Sequence, residues 1–242
     1  MHRKNKEPNH WVLIPAAGIG RRMRSKVAKQ YLQLQGKPIL EHTLSLFISH
    51  PKVKKIIVIL HEDDQQWPKL SVSHHEKLQT VKGGKTRADS VMQGLQFLET
   101  FAAPNDCDWV LVHDALRPCL LPEVLHRLLA QVETHPIGGL LALPIAETLK
   151  KLDAEQCVIQ TIPRQDLWMA QTPQMFRYHL LQKAMREAAR KKIHMTDEAS
   201  AIECLGMRPL VVKGDRRNIK ITWPQDLVWA EKILLESTTV CK

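Results

Sequence analysis

Trp11-Val-Leu-Ile-Pro-Ala-Ala-Gly-Ile-Gly-Arg-Arg-Met-Arg24 is the stretch on which the fold turns. From Trp11 to Pro15 it is apolar without alternation, the pattern of a short strand covered on both faces in a parallel sheet. The chain then passes through Ala16, Ala17, Gly18 and Gly20 into Arg21, Arg22 and Arg24, with Lys26, Lys29 and Gln30 just beyond. Small residues let the backbone approach a phosphate chain with its N–H groups pointing inward, and the cations supply charge that the backbone lacks. The segment reads as a polyphosphate-binding loop; a glycine turn with solvated cations has the same composition. A dinucleotide fingerprint is excluded, because its third glycine would fall on Met23.

Working outward, further strand-sized apolar runs lie at Lys55 to Leu60, Trp109 to His113, Gly139 to Pro144 and Pro209 to Val212. Helical patterns separate them at Pro38 to Ser49, Ala88 to Phe101, Pro122 to Thr134, Tyr178 to Lys191 and Pro224 to Glu236, several opening on proline where a helix tolerates it. Alternation of this kind predicts βαβ units around a mainly parallel sheet, hence an α/β fold. No composition break divides residues 1–242, so one domain is expected. The stretch 145–167 resists the pattern: it is polar at most positions, and its Cys157-Val-Ile-Gln-Thr-Ile162 alternates, so it is expected to be a protruding β-hairpin arm.

In an open α/β sheet the site lies beyond the carboxyl ends of the strands, which makes the loops after the strands the places to look for chemistry. Gly83-Gly-Lys-Thr86 imitates the tail of a Walker loop, but the first glycine of that motif would fall on Gln79. It reads instead as a glycine turn, including Gly84, into a helix that points Arg87 and Ser90 at one pocket; an ordinary capped helix start would look the same. Asp114 follows its strand among cations, ahead of Ala115 and Arg117, and is suited to holding Mg²⁺ or ordering a ribose. A structural ion pair between Asp114 and Arg117 is the competing reading. Lys220 stands between Ile219 and Ile221, and a strand there would send it to the face opposite both. Asp197 and Glu198 suit the positive end of a helix running to Leu205.

The bulk numbers set limits. With 44% hydrophobic and 25% charged residues the chain is an ordinary globular one. Its longest apolar runs are far short of the roughly 20 residues of a membrane span, so no membrane partner and a cytoplasmic location are expected. Five widely spread cysteines with no C-x-x-C give neither a disulfide framework nor a zinc site. The formal charge of +10 would suit nucleic acid, an anionic surface or polyphosphate chemistry. Aromatics at 5%, with no stacking platform and with the placeable cations gathered at strand ends, argue against nucleic acid.

Seven segments in order, Pro15-Ala-Ala-Gly-Ile-Gly-Arg-Arg-Met23, Lys29-Gln-Tyr31, Gly83-Gly-Lys-Thr-Arg-Ala-Asp-Ser90, Val112-His-Asp-Ala-Leu-Arg-Pro118, Thr172-Pro-Gln174, Thr196-Asp-Glu-Ala-Ser200 and Asn218-Ile-Lys220, together resemble the 2-C-methyl-D-erythritol 4-phosphate cytidylyltransferase family. The resemblance runs from about residue 11 to residue 236. Leu116, where the family usually has a small residue, and Pro163, where an acidic one is common, depart from it without removing a charge the chemistry would use. It implies a Rossmann-like three-layer sandwich of the nucleotide-diphospho-sugar transferase type, and a homodimer joined through interlocking arms. It also implies transfer of CMP from CTP to a polyol phosphate in the non-mevalonate isoprenoid pathway, with Mg²⁺ or another divalent cation.

By the same resemblance, Arg22 and Lys29 would stabilise the transition state. Arg164 and Lys220, assisted by Thr148 and Thr172, would position methylerythritol phosphate. The Ala16 and Ala17 backbone with Gly84 and Ser90 would recognise cytosine, Asp114 would lie near ribose and metal, and Gly18, Arg87, Ala115 and Arg117 would complete the substrate wall. The chemistry is consistent with this: a phosphate monoester is already an anionic nucleophile, so alignment and charge neutralisation suffice. A CDP-ribitol pyrophosphorylase, or another sugar-phosphate nucleotidyltransferase on the same fold, is the nearest alternative, because acceptor choice would reside in the arm.

Overall fold

The run at Trp11 folds as β1 (His10–Pro15), buried throughout except at Pro15, which is partly covered. The structure is a computed structural model that describes residues 7–18 and 27–239. β1 pairs in parallel with β4 (Val53–Leu60) on one side and with β6 (Trp109–Val112) on the other. β5 (Leu78–Lys82) extends the sheet beyond β4. Beyond β6 the order continues through β10 (Trp168–Arg177), β7 (Gly138–Pro144) and β11 (Leu210–Lys213). Only β10 runs antiparallel within this seven-stranded sheet.

Alternation along the central strands sends neighbouring side chains into two separate cores. Val12, Ile14, Ile56, Val58 and Leu111 pack on α1 (Ile39–Ser49) and α3 (Pro122–Val132) through Leu44, Phe47, Leu125 and Leu128. Leu13, Ile57, Ile59, Val110 and Val112 face α2 (Arg87–Ala102), α4 (Tyr178–Arg190) and α5 (Glu198–Glu203) on the other side. Each fully buried aliphatic of this kind contributes about 1.5–3 kcal/mol. The predicted three-layer α/β sandwich is therefore the observed one. A third, smaller cluster seats α6 (Pro224–Thr239) on Leu34, Ile39 and Ile221. Leu34 belongs to a tight hairpin of β2 (Gln33–Leu34) and β3 (Lys37–Pro38).

The stretch 145–167 contains the expected hairpin, β8 (Leu149–Leu152) paired antiparallel with β9 (Val158–Ile162). It exposes Leu152, Val158 and Ile159, and the adjoining start of β10 exposes Trp168 and Met169.

The structure adds two strands to the seven-stranded sheet that the sequence did not show, β10 and β5, and corrects two expectations, the strand at Lys220 and the end of α5. β10 does not read as a strand, because Pro173 and two glutamines interrupt it. It pairs nonetheless, by slipping register: Ala170 lies opposite Ala142 and Gln174 opposite Leu140. Lys220 does not lie on a strand; residues 218–222 are irregular, fixed by the Ile221 N–H on the Leu116 carbonyl at 2.9 Å. β5, at the sheet edge and buried mainly at Leu78, gave too little apolar signal to be read. α5 ends at Glu203, two residues before the expected Leu205.

Candidate active site

Three strand ends build the site. After β1 the Ala16 N–H donates to the Ile59 carbonyl at 2.8 Å, and the Ala16 carbonyl accepts from Gln30 Nε2 at 2.7 Å, so the first loop leaves the sheet on a fixed course. After β5, Gly83 lies against that loop; a Cβ there would stand 2.5 Å from the Ala17 Cβ. Only glycine permits this approach. Thr86 caps α2 in a reciprocal capping box with Asp89. One turn into the helix, Ser90 Oγ donates to the Thr86 carbonyl (2.9 Å) and accepts from the Gly84 N–H (3.2 Å).

After β6 comes Asp114, buried and surrounded by cations. Its Oδ1 accepts from Arg87 Nε at 3.1 Å, and its Oδ2 faces Lys220 Nζ at 2.9 Å and Arg117 Nε at 3.4 Å. Burial alone would raise the Asp114 carboxyl, but Arg87, Lys220 and Arg117 outweigh it and hold the group well below the usual carboxylate range. Arg87 is gripped from behind by Glu198, whose oxygens lie 2.6 and 3.1 Å from its terminal nitrogens. Burial works against the charged guanidinium, yet Glu198 and Asp114 raise its pKa. Arg117 is lowered by burial, partly offset by Asp114, and donates to the Asn218 carbonyl at 2.6 Å.

Two adjoining chambers open onto this cluster. The first, of about 220 Å³, is lined by Ala16, Ala17, Gly18, Gln30, Gly84 and Ser90, with Ala115. The second, of about 270 Å³, is lined by Arg117, Gln171, Thr172, Gln174, Thr196 and Asp197. Arg87, Asp114 and Lys220 belong to both and form the shared wall.

The sequence-predicted residues divide accordingly. Ala16, Ala17, Gly18, Gly84, Arg87, Ser90, Asp114, Ala115, Arg117, Thr172 and Lys220 converge. Thr148 and Arg164 lie exposed on the stretch 145–167, and neither lines a chamber of this chain. Lys29 is buried and donates to the Thr222 carbonyl at 2.6 Å, beside the Lys220 segment rather than within either lining. Arg22 lies outside the described residues.

Asp114 pairs with Arg117 as the competing reading had it, and with Arg87 and Lys220 as well. A carboxylate offers about four lone-pair positions; Arg87, Arg117 and Lys220 leave it one, on Oδ1, for a further ligand. Among the described residues no group of three or more His, Cys, Asp or Glu could hold a metal ion.

Sequence reasoning missed three residues. Glu198 was read as a helix-end carboxylate, whereas Asp197 does the capping and Glu198 is 1% exposed against Arg87. Gln174 is fully buried and ties β10 to α5 by donating to Asp197 and accepting from the Ala199 N–H, both at 2.8 Å. Asn218, also fully buried, donates to the Thr172 carbonyl at 2.8 Å. The presence of Gln174 and Asn218 within the seven segments that carry the resemblance was their only signal.

A glycine loop and a capped helix at strand ends, facing a cationic wall with a second chamber behind it, form a candidate nucleotidyltransferase site on an α/β sandwich. The model of the family described as "IspD: 2-C-methyl-D-erythritol 4-phosphate cytidylyltransferase" matches residues 10–236. The 2-C-methyl-D-erythritol 4-phosphate cytidylyltransferase of Dechloromonas aromatica (strain RCB) is 48% identical over 229 residues, covering 94% of this chain and 98% of the relative. That of Ectopseudomonas mendocina (strain ymp) is 46% identical over 226 residues, covering 93% and 96%. The crystal structure of the Francisella tularensis enzyme of the same name superposes with a TM-score of 0.82 at 38% identity, over 93% of this chain and 99% of that one. The chain belongs to the 2-C-methyl-D-erythritol 4-phosphate cytidylyltransferase family.

Proposed function

We propose that the protein transfers CMP from CTP to 2-C-methyl-D-erythritol 4-phosphate with release of pyrophosphate, as a single nucleotidyltransferase domain with a protruding arm at 145–167. The observation that carries this is the pair of chambers sharing Arg87, Asp114 and Lys220. Two anionic substrates can be brought to one charged wall from opposite sides.

The first chamber suits cytosine. The hydrogen of Ser90 Oγ is committed to the Thr86 carbonyl and one lone pair to Gly84, so the oxygen has only acceptor capacity to offer. That matches the exocyclic amine of cytosine and mismatches the corresponding carbonyl of uracil. The backbone of Ala16, Ala17 and Gly18 would face the nucleotide, with Arg22 and Lys29 neutralising charge that grows on the triphosphate as pyrophosphate leaves.

The divalent cation is proposed to arrive as part of the nucleotide substrate, since the described residues include no multidentate cage. Asp114 would touch it through its remaining Oδ1 position. Bound there, the ion would supply Lewis-acid polarisation of phosphate oxygens. In the second chamber Lys220 and Arg117 offer charge to the acceptor phosphate, with Thr172 in its lining, while Ala115 lines the first chamber on the nucleotide side. Because the acceptor is already ionised, the chain need only align it with the α-phosphorus.

Arg164 and Thr148 belong to this reading only if a partner supplies them. The exposed Leu152, Val158, Ile159, Trp168 and Met169 support a homodimer in which the arm is buried by a second copy. The test is pyrophosphate release from each of the four nucleoside triphosphates against a panel of polyol phosphates. CTP with methylerythritol phosphate should be the preferred pair, and absence of release with it would overturn the reading.

A further inference from the structure

His113, between β6 and Asp114, is fully buried and has no part in the chemistry above. Its ring lies 5.2 Å from that of Phe47, and both of its nitrogens are engaged. Nε2 stands 3.1 Å from the Arg117 carbonyl, which can only accept, so Nε2 carries the hydrogen and donates. The ring is fully buried and neither nitrogen is hydrogen-bonded to a carboxylate, so the ring is held neutral and Nδ1 is bare. The Thr172 hydroxyl, 2.9 Å away, therefore donates to Nδ1.

Thr172 Oγ1 in turn accepts from the Asp114 N–H at 3.1 Å. A hydroxyl has one hydrogen and two lone pairs. Here the hydrogen is spent on His113 and one lone pair on Asp114, leaving a single lone pair. A serine or threonine with a free rotor can donate to a phosphate or accept from an alcohol, as the ligand requires. Thr172 has lost that choice.

We propose that His113 is a positioning residue that fixes the Thr172 hydroxyl as a hydrogen-bond acceptor toward the second chamber, so that this position reads a hydroxyl of the polyol and rejects an oxygen of its phosphate. The inference rests on the reading of that chamber as the acceptor site and adds a division of labour within it. Lys220 and Arg117 take the phosphate; Thr172 takes an alcohol that can donate. The phosphate dianion has no hydrogen to give and meets a bare lone pair there, which orients the acceptor with its phosphate toward Lys220.

Two experiments test this, one independent of catalysis. In ¹⁵N-histidine-labelled protein, with the signal assigned by its loss in His113→Phe or His113→Asn, His113 should be the neutral Nε2–H tautomer at pH 7. An Nδ1–H tautomer or an imidazolium would overturn the proposal even if the enzyme is active, and this readout stands even if the proposed reaction is wrong. In kinetics, Thr172→Val should raise KM for the polyol phosphate by about tenfold while leaving KM for CTP within about twofold. Against a series of monodeoxy acceptors, one analogue should be used equally by Thr172→Val and wild type, because it lacks the hydroxyl that Thr172 reads. His113→Phe should show the same acceptor-specific loss, and His113→Asn, which retains an acceptor facing Thr172, should recover part of it. If Thr172→Val loses equally against every analogue, or loses affinity for CTP as much as for the acceptor, the assignment of Thr172 to a hydroxyl is refuted.

Discussion

Glu198→Gln is the substitution whose consequence the structure specifies most closely. Three cations, Arg87, Arg117 and Lys220, face two carboxylates, Asp114 and Glu198, so the wild-type cluster carries one excess positive charge. The substitution preserves volume and leaves the helix cap to Asp197, but raises that excess to two. It also replaces a two-point ionic grip at 2.6 and 3.1 Å with one amide oxygen, and turns an amide N–H toward a guanidinium. Removing one member of a buried pair costs about 3–5 kcal/mol. Because the Arg87 side chain is 29% exposed and keeps Asp114, the low end applies, about 3 kcal/mol.

For a chain of this length that corresponds to a fall in melting temperature of about 6–12 °C. Thermal and urea unfolding followed by tryptophan fluorescence and circular dichroism would measure it. Replacing both partners with apolar residues, Arg87→Met with Glu198→Leu, should cost less than Glu198→Gln, since no uncompensated buried charge remains. A Glu198→Gln protein melting within about 2 °C of wild type would show that solvent, and not Glu198, balances Arg87, and the reading of Glu198 as its buried counter-charge would be wrong.

Asp114→Asn should weaken productive binding of the metal–nucleotide complex, seen as a higher Mg²⁺ requirement at fixed CTP; unchanged metal dependence with a lowered melting temperature would leave Asp114 a purely structural partner of its three cations. Lys29→Ala and Arg22→Ala should each cut turnover by roughly 100-fold, and folded variants within a few-fold of wild type would remove both from the transition state. Mixing Arg22→Ala with Arg164→Ala subunits should restore about a quarter of wild-type activity if the arm of one chain completes the site of the other, whereas confirmed mixed dimers without recovery would refute exchange. Because the His113 pKa is lowered in the folded state, the unfolded chain binds more protons between about pH 6.5 and pH 4, so stability should fall on acidification through that window by up to about 3 kcal/mol and then level off for this group. His10 and His50, lowered chiefly by burial, act in the same direction, and a stability flat from pH 7 to pH 4 would contradict all three.

Much of the architecture was legible in the sequence because it depends on local pattern. Continuous apolar runs such as Trp11 to Pro15 can only be buried on both faces, and the alternation of strands with helices leaves a parallel sheet with ligand loops at its carboxyl ends. Glycine and cation content at 15–30 and 83–90 marked those loops, and polar alternation marked the hairpin at 145–167. Tertiary structure decided what pattern cannot encode, namely which distant charges meet. Lys220 is 106 positions from Asp114 and Glu198 is 111 from Arg87, and nothing local distinguishes Glu198 from any other carboxylate in a first helical turn. β10 escaped notice because a proline and two glutamines suppress strand propensity, while pairing with β6 and β7 on either side overrides that preference and delivers Thr172 to His113 and Asp114. Propensity and periodicity are properties of neighbours along the chain, whereas the direction in which a hydroxyl points, or the partner a guanidinium holds, is fixed by groups that become neighbours only when the sheet has formed.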